Sequence, residues 1–272
     1  VLIIPRHRKR WVWLVSVFAV TTAFPTLRVI ADAQNEVLVF GGVYLLVIGY
    51  KMERPWMVAL GILIGTAKPQ AVSLLLIVFS LYILQTWSFK KWFTMGRMVL
   101  VVVVPMMLWR GADWLAAMGG TYQAGSPVDA GLMATLGRLG ITDIPVLAWG
   151  LWGLLLLTTL GLCYRYNRTF SREKAGMLIA ASLLLAPYAA SNSALSVFAI
   201  GIIPFFHKHL RVGFIMIILV DIMYPFNSGE YVNVYSTYWT GYLLLAWAVL
   251  NWHLIQTEIR QVNHSTGDAY SG

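Results

Sequence analysis

Charge is what this chain has least of. Only 11% of its 272 residues are Asp, Glu, Lys or Arg, where an ordinary soluble domain carries about 25%. That scarcity excludes a water-solvated surface over most of the chain. Cysteine is scarcer still: Cys163 stands alone, so no intrachain disulfide can form. Its ordinary role is that of a small residue packed near a helix end. The chain has no glycine-rich phosphate loop, no cysteine pair and no serine nucleophile motif, which removes the usual marks of soluble-enzyme chemistry. The histidines, His7, His207, His209, His253 and His264, gather into no ligand pattern. His207 and His209 are two apart and fall on different helical faces, so no metal and no cofactor are expected.

What is present is hydrocarbon-compatible. Hydrophobic residues make up 59% of the chain and the mean hydropathy is +0.71. These values define an all-α, polytopic transmembrane helical bundle. Ten apolar segments can be traced, at 11–30, 37–50, 56–67, 71–86, 97–109, 146–164, 174–188, 194–206, 212–224 and 235–253. Several fall short of the ~20 residues of a full span, so partial helices around a cavity are expected. The net charge of +9 does not imply nucleic acid, because the basic residues punctuate apolar runs instead of lining one face.

Alternate threading, with Arg6 to Arg10 on the cytoplasmic side, puts 16 of the 20 basic residues there and leaves Arg28, Lys68, Arg110 and Arg138 opposite. The positive-inside rule then predicts cytoplasmic termini, and chemistry on the outer face with this topology suits a bacterial inner (plasma) membrane, with an active face that is periplasmic or extracellular. Trp11, Trp13, Trp56, Trp87, Trp92, Trp109, Trp149, Trp152 and Trp239 fall near segment ends, as an aromatic belt requires. Residues 1–260 are read as the transmembrane domain and 261–272 as a polar cytoplasmic tail.

The outer side collects the unusual chemistry. A broken helix at Lys68-Pro69-Gln70 interrupts two apolar runs, and a charge at that depth costs about 2.5–3.5 kcal/mol. Lys68 suits a phosphate, being a compact ammonium with three donors, or it snorkels and ends a helix. Asp32, Gln34, Asn35 and Glu36 lie where the first span emerges. They either bond sugar hydroxyls or cap the following helix, and Asp32 or Glu36 is a candidate general base. Tyr188 and Asn192 flank a turn after Pro187 that is either cavity lining or a plain connection. Asp113, Asp129 and Asp143 belong to the long 110–145 connection, as solvated carboxylates or parts of a partial lid.

Ala33-Gln34-Asn35, the glycine-rich Gly61-Ile-Leu-Ile-Gly65-Thr-Ala-Lys68-Pro69-Gln70 and Ala186-Pro187-Tyr188 before Asn192 together resemble the polyprenyl-phosphate-sugar-dependent membrane glycosyltransferases. These belong to the GT-C superfamily, and the chain is most similar to the family 87 mannosyltransferase-like group, over about residues 10 to 210. The resemblance implies inverting transfer of a mannose-like sugar from a polyprenyl-phosphate donor to a lipid or glycan acceptor on the outer face, without a metal. Lys68 and Gln70 would lie near the donor phosphate, and Gln34, Asn35, Tyr188 and Asn192 would line the cavity. The family's catalytic aspartate lies in a first outer loop upstream of Val1, so this chain is expected to be the part after that loop. The alternative is a non-catalytic membrane subunit of a larger complex. A transporter would show paired broken helices in two related halves, and only one break is visible.

Overall fold

A computed structural model describes residues 9–31, 35–120, 129–165, 170–222 and 231–269. Among them the chain is helical, apart from one isolated bridge between Asp129 and Ala190. Each of the ten apolar segments is helical over most of its described residues. Helices α1 (Arg10–Thr22) and α2 (Phe24–Ala31) divide the first, because Pro25 has no N–H with which to continue the ladder. Then follow α3 (Glu36–Lys51), α4 (Pro55–Gly65), α5 (Pro69–Thr86) and α6 (Phe89–Gly120). The long connection expected after residue 110 is partly helical: α6 runs on to Gly120, and α7 (Leu132–Arg138) and a 3-10 turn at Ile141–Asp143 come after it. Next are α8 (Pro145–Arg165), α9 (Arg172–Leu185) and a 3-10 turn at Ser191–Ser193. A rod of α10 (Ala194–Val197), a π turn (Phe198–Ile202) and α11 (Ile203–Lys208) leads to α12 (Leu210–Asp221) and α13 (Val232–Ala269). The polar tail is continuous with α13 as far as Ala269.

Among the described residues three helices are long and apolar enough to cross a membrane: α5, α6 over Phe89–Asp113, and α8. Helices α3, at 16 residues, and α4, at 11, are too short to span alone, where about 20 are needed, and α13, at 38 residues, is long enough but less apolar. Ten apolar segments therefore do not make ten full spans.

The centre of the bundle is α9, buried on every side from Glu173 to Leu184 and packed against α5, α8, α13 and the π turn. Its small residues permit this. A Cβ on Gly176 would stand 2.4 Å from Gly201 Cα, so the two backbones touch. Ser182 Oγ donates to Leu178 O at 2.8 Å and accepts the Leu74 N–H of α5 at 3.0 Å, which leaves this buried hydroxyl no unmet need. Two tryptophans assigned to the aromatic belt, Trp87 and Trp239, are buried instead. Trp239 is fully buried beside Phe24, Tyr235 and Tyr242, and its indole N–H has no partner.

Candidate functional site

The site begins with glycine. Helices α3 and α4 form an antiparallel hairpin joined at Met52–Arg54, with Glu53 in the left-handed region at φ 53°. A Cβ on Gly42 would lie 2.4 Å from Gly65 N, one on Gly61 2.6 Å from Leu46 N, and one on Gly49 2.7 Å from Met57 Cβ. Small residues in this spacing let two membrane helices approach until their backbones meet. The Gly61-x-x-x-Gly65 pattern therefore serves helix packing.

That close approach sets the register of the hairpin's open end. Glu36, in the first turn of α3, lies against Lys68, which sits in the turn between α4 and α5. The break at Lys68-Pro69-Gln70 is a chain reversal. Lys68 meets the start of α3, whereas Trp87, after the far end of α5, stacks on Tyr50 at the end of α3 with ring centroids 5.9 Å apart. Pro69 at the first position of α5 costs nothing, since that N–H would have no helical partner.

Lys68 Nζ donates to Glu36 Oε1, to Ser193 Oγ at 3.2 Å and to Asn192 Oδ1 at 3.4 Å. Ser193 Oγ in turn donates to Glu36 Oε1 at 2.7 Å. Glu36 is fully buried, Asn192 and Ser193 nearly so, and the Lys68 side chain is 14% exposed. A carboxylate can be buried this way only with a charge partner, and the N-terminal end of α3 adds a favourable dipole. One acceptor remains open: Glu36 Oε2 is buried and has no partner.

A second carboxylate is tied to the same corner. Asp129 is fully buried, and its Oδ1 accepts the Gly131 N–H and the Ala189 N–H, both at 2.8 Å. The bond to Gly131 closes an Asx turn, and the Ala130 N–H donates to Ala189 O at 2.6 Å. Asp129 Oδ2 has no partner. Burial pushes the Asp129 carboxyl above its ordinary value, against the opposing pull of the two N–H groups and of Arg138. Arg138 donates through Nη2 to Thr135 at 2.6 Å and through Nε to Thr237 at 3.3 Å, and its Nη1 is buried without a partner. Thr135 and Thr240 share a 2.6 Å hydrogen bond, and Thr240 also donates to Ala130 O at 2.8 Å. Segment 189–193 carries both arrangements, since it holds Asp129 at one end and Lys68 at the other.

No protein-family model, curated protein or solved structure matches this chain. The reading of the site therefore rests on its own geometry.

Of the residues singled out in the sequence, the fold brings together Lys68, Glu36 and Asn192. Gln70 is half-buried in the first turn of α5, two residues from Lys68. Asn35 is exposed at the head of α3, and its side chain makes no capping bond. Tyr188 is half-buried beside Ala189, whose N–H Asp129 accepts. Asp32 and Gln34 lie outside the described residues. Sequence reasoning passed over Ser193, and it grouped Asp129 with other loop carboxylates. The signal available for Asp129 was its place two residues before Gly131, the spacing of an Asx turn. Among the described residues no group of three or more His, Cys, Asp and Glu could hold a metal. At the opposite end of the bundle, Lys208 pairs with Glu173 at 2.5 Å and His209 bonds His253 at 2.9 Å.

Proposed function

We propose that this chain is part of an integral membrane glycosyltransferase of the polyprenyl-phosphate-sugar type. It moves a mannose-like sugar from a lipid-phosphate donor to a lipid or glycan acceptor on the non-cytoplasmic face of a bacterial inner membrane. The observation that carries the reading is the meeting of Glu36, Lys68, Asn192 and Ser193, from three sequence-distant stretches, at one end of an apolar bundle. An ammonium, a carboxylate with a bare oxygen, an amide and a hydroxyl supply what a phosphate and a sugar require. Lys68 holds the donor phosphate. Its 3.4 Å bond to Asn192 is the weakest of its three and is the one a phosphate oxygen replaces. Gln70, Asn35, Gln34, Tyr188 and Asn192 contribute hydrogen bonds around the sugar.

One observation favours a second reading. All three Lys68 donors are engaged within the protein, which suits a bundle that lends its fold to a larger membrane complex without catalysis. Supplying membranes with radiolabelled polyprenyl-phosphate mannose separates the two. Transfer to lipid-linked product that falls at least tenfold in Lys68→Ala, but not in the equally folded Lys91→Ala, supports the enzyme. Absence of transfer by the folded protein, together with its recovery in a larger assembly, supports the subunit.

A further inference from the structure

At the end of the bundle away from Lys68, side chains from α9, α11, the α11–α12 joint and α13 form one chain of hydrogen bonds. Lys208 Nζ pairs with Glu173 Oε1 at 2.5 Å and lies 3.4 Å from His253 Nε2, and His253 Nδ1 lies 2.9 Å from His209 Nε2. An ammonium can only donate, so His253 Nε2 is bare in the neutral ring and the proton is on Nδ1, which donates it to a bare His209 Nε2. His253 is buried, and Phe205 lies against both rings, with centroids 4.7 Å from His209 and 5.7 Å from His253.

Proton counting makes this chain of bonds sensitive. Two neutral imidazoles have four ring nitrogens and two protons, which leaves two bare nitrogens, and both are in use. A third proton leaves one. The pair then keeps the bond from Lys208 or the bond between the rings, but not both, and a new positive charge stands beside the Lys208 ammonium. The other charged or titratable groups on the elements around the pair are Lys174 of α9, His207 of α11, Arg211 of α12 and Glu258 of α13. His207 is bonded to Ser16 Oγ of α1 at 2.8 Å, Arg211 is exposed, and Lys174 and Glu258 attract each other.

The joint that these rings hold leads to the Lys68 site. His209 ends α11 and begins α12 with a non-helical backbone, at φ −130° and ψ 73°. The rod behind it is buried from Ala194 to Phe206 and meets the backbone of α9 where Gly201 touches Gly176. Ser193 and His209 each lie eight residues from Gly201 (201 − 193 and 209 − 201), about 12 Å at helical rise. The glycine contact is therefore a pivot with equal arms. At the far end, the Ser193 hydroxyl bonds Glu36 and Lys68.

We propose that the His209–His253 pair is a proton-operated latch. Neutral, it holds the α11–α12 joint on α13; taking up one proton, it releases the joint, lets the rod turn about Gly201 and loosens Ser193 from Glu36 and Lys68. The device stands apart from the glycosyltransferase reading, since any use of Lys68 would feel it.

Hydrogen–deuterium exchange of the detergent-solubilised chain, corrected for the intrinsic effect of pH, tests it. Between about pH 8 and about pH 5, peptides spanning His209 and Ser193 should both exchange about fivefold faster or more, along one titration curve. The double variant His209→Gln/His253→Gln keeps a carbonyl for Lys208 and an amide between the two positions with nothing to titrate, so the step should vanish. His207→Gln should retain it. Ring nitrogen chemical shifts of the wild-type chain, which need no variant, should show His253 protonated at Nδ1 and bare at Nε2 at the alkaline end, and should titrate with the same midpoint as the exchange. The opposite tautomer, different midpoints, no step at His209, or a step that persists in the folded double variant overturns the latch. A joint that opens while the Ser193 peptide stays unchanged overturns the pivot. If the double variant does not fold, the tautomer and the shared midpoint decide.

Discussion

Two lysine–glutamate pairs close the two ends of the α3–α4 hairpin, and they differ in almost everything but chemistry. At the turn end, Glu53 and Lys91 meet at 2.6 Å with side chains 65% and 38% exposed. At the open end, Glu36 and Lys68 meet with exposures of 0% and 14%, and Asn192 and Ser193 complete their bonding. An exposed pair of this kind contributes about 0–1 kcal/mol, because water already solvates both charges. A buried pair contributes little net against an apolar replacement, yet removing one partner strands a charge and costs about 3–5 kcal/mol. The lesson is that the open end stores a liability which only its complete set of partners cancels, the usual condition of a site kept for use.

The largest expected effect follows directly. Lys68→Ala should lower stability by about 3–5 kcal/mol in a detergent denaturation assay. Adding Glu36→Gln should restore more than half of that, since the stranded charge is gone. No recovery in the double variant would break the comparison. Next comes the hairpin that brings the pair together. Gly42→Leu drives a side chain into the Gly65 backbone and should cost at least the about 1–3 kcal/mol of overpacking. It should also abolish transfer by separating Glu36 from Lys68, whereas Gly150→Ala on α8, where a Cβ meets nothing within 4 Å, should do neither.

A pH effect is smaller. Burial raises Asp129 above its ordinary 3.8, so the folded chain binds that proton more tightly than the unfolded chain. The resulting stabilisation is complete below 3.8 and is lost as pH rises through the raised value. Thermal unfolding followed from neutral pH toward 4 should therefore show an increment in the wild-type chain that Asp129→Asn lacks. The smallest effect is that of Lys91→Ala, at most about 1 kcal/mol and sensitive to salt, measured by the same denaturation.

Helices were legible because each apolar run sits between charged or proline-containing breaks, as at Arg54-Pro55 and Lys68-Pro69. Span length was not, because α3 between Glu36 and Lys51 and α4 throughout carry no charge and yet end within 16 and 11 residues. Lys68 and Glu36 each stood out in the sequence, one as a phosphate ligand and the other as a base or cap, but not as a pair. Their meeting depends on register: both lie nearly equidistant from the Met52–Arg54 turn, and equal rise along two antiparallel helices brings them level. Glycines 42, 49, 61 and 65 would have signalled that hairpin. Asp129 was legible only in part. Its spacing from Gly131 marks an Asx turn, but its second donor, the Ala189 N–H, comes from 60 residues away, and a main-chain donor leaves no mark in side-chain identity.

The bareness of α6 has a consequence of its own. None of its most apolar window is buried within the protein, and Leu100, Val101, Leu108 and Trp109 are among its most exposed side chains. Lys91 marks one end of the apolar stretch. At the other, Arg110 lies 5.2 Å from the Trp109 ring and pairs with Asp113 at 2.8 Å. Arg97 stands between them, exposed, and at 1.5 Å per residue the uncharged rise from Arg97 to Arg110 is about 20 Å, short of the ~30 Å of a bilayer's hydrocarbon layer. In a bilayer α6 would therefore lay the aliphatic stem of Arg97 along its own apolar face and carry the guanidinium toward the headgroups, so that one long side chain supplies the length the apolar stretch lacks.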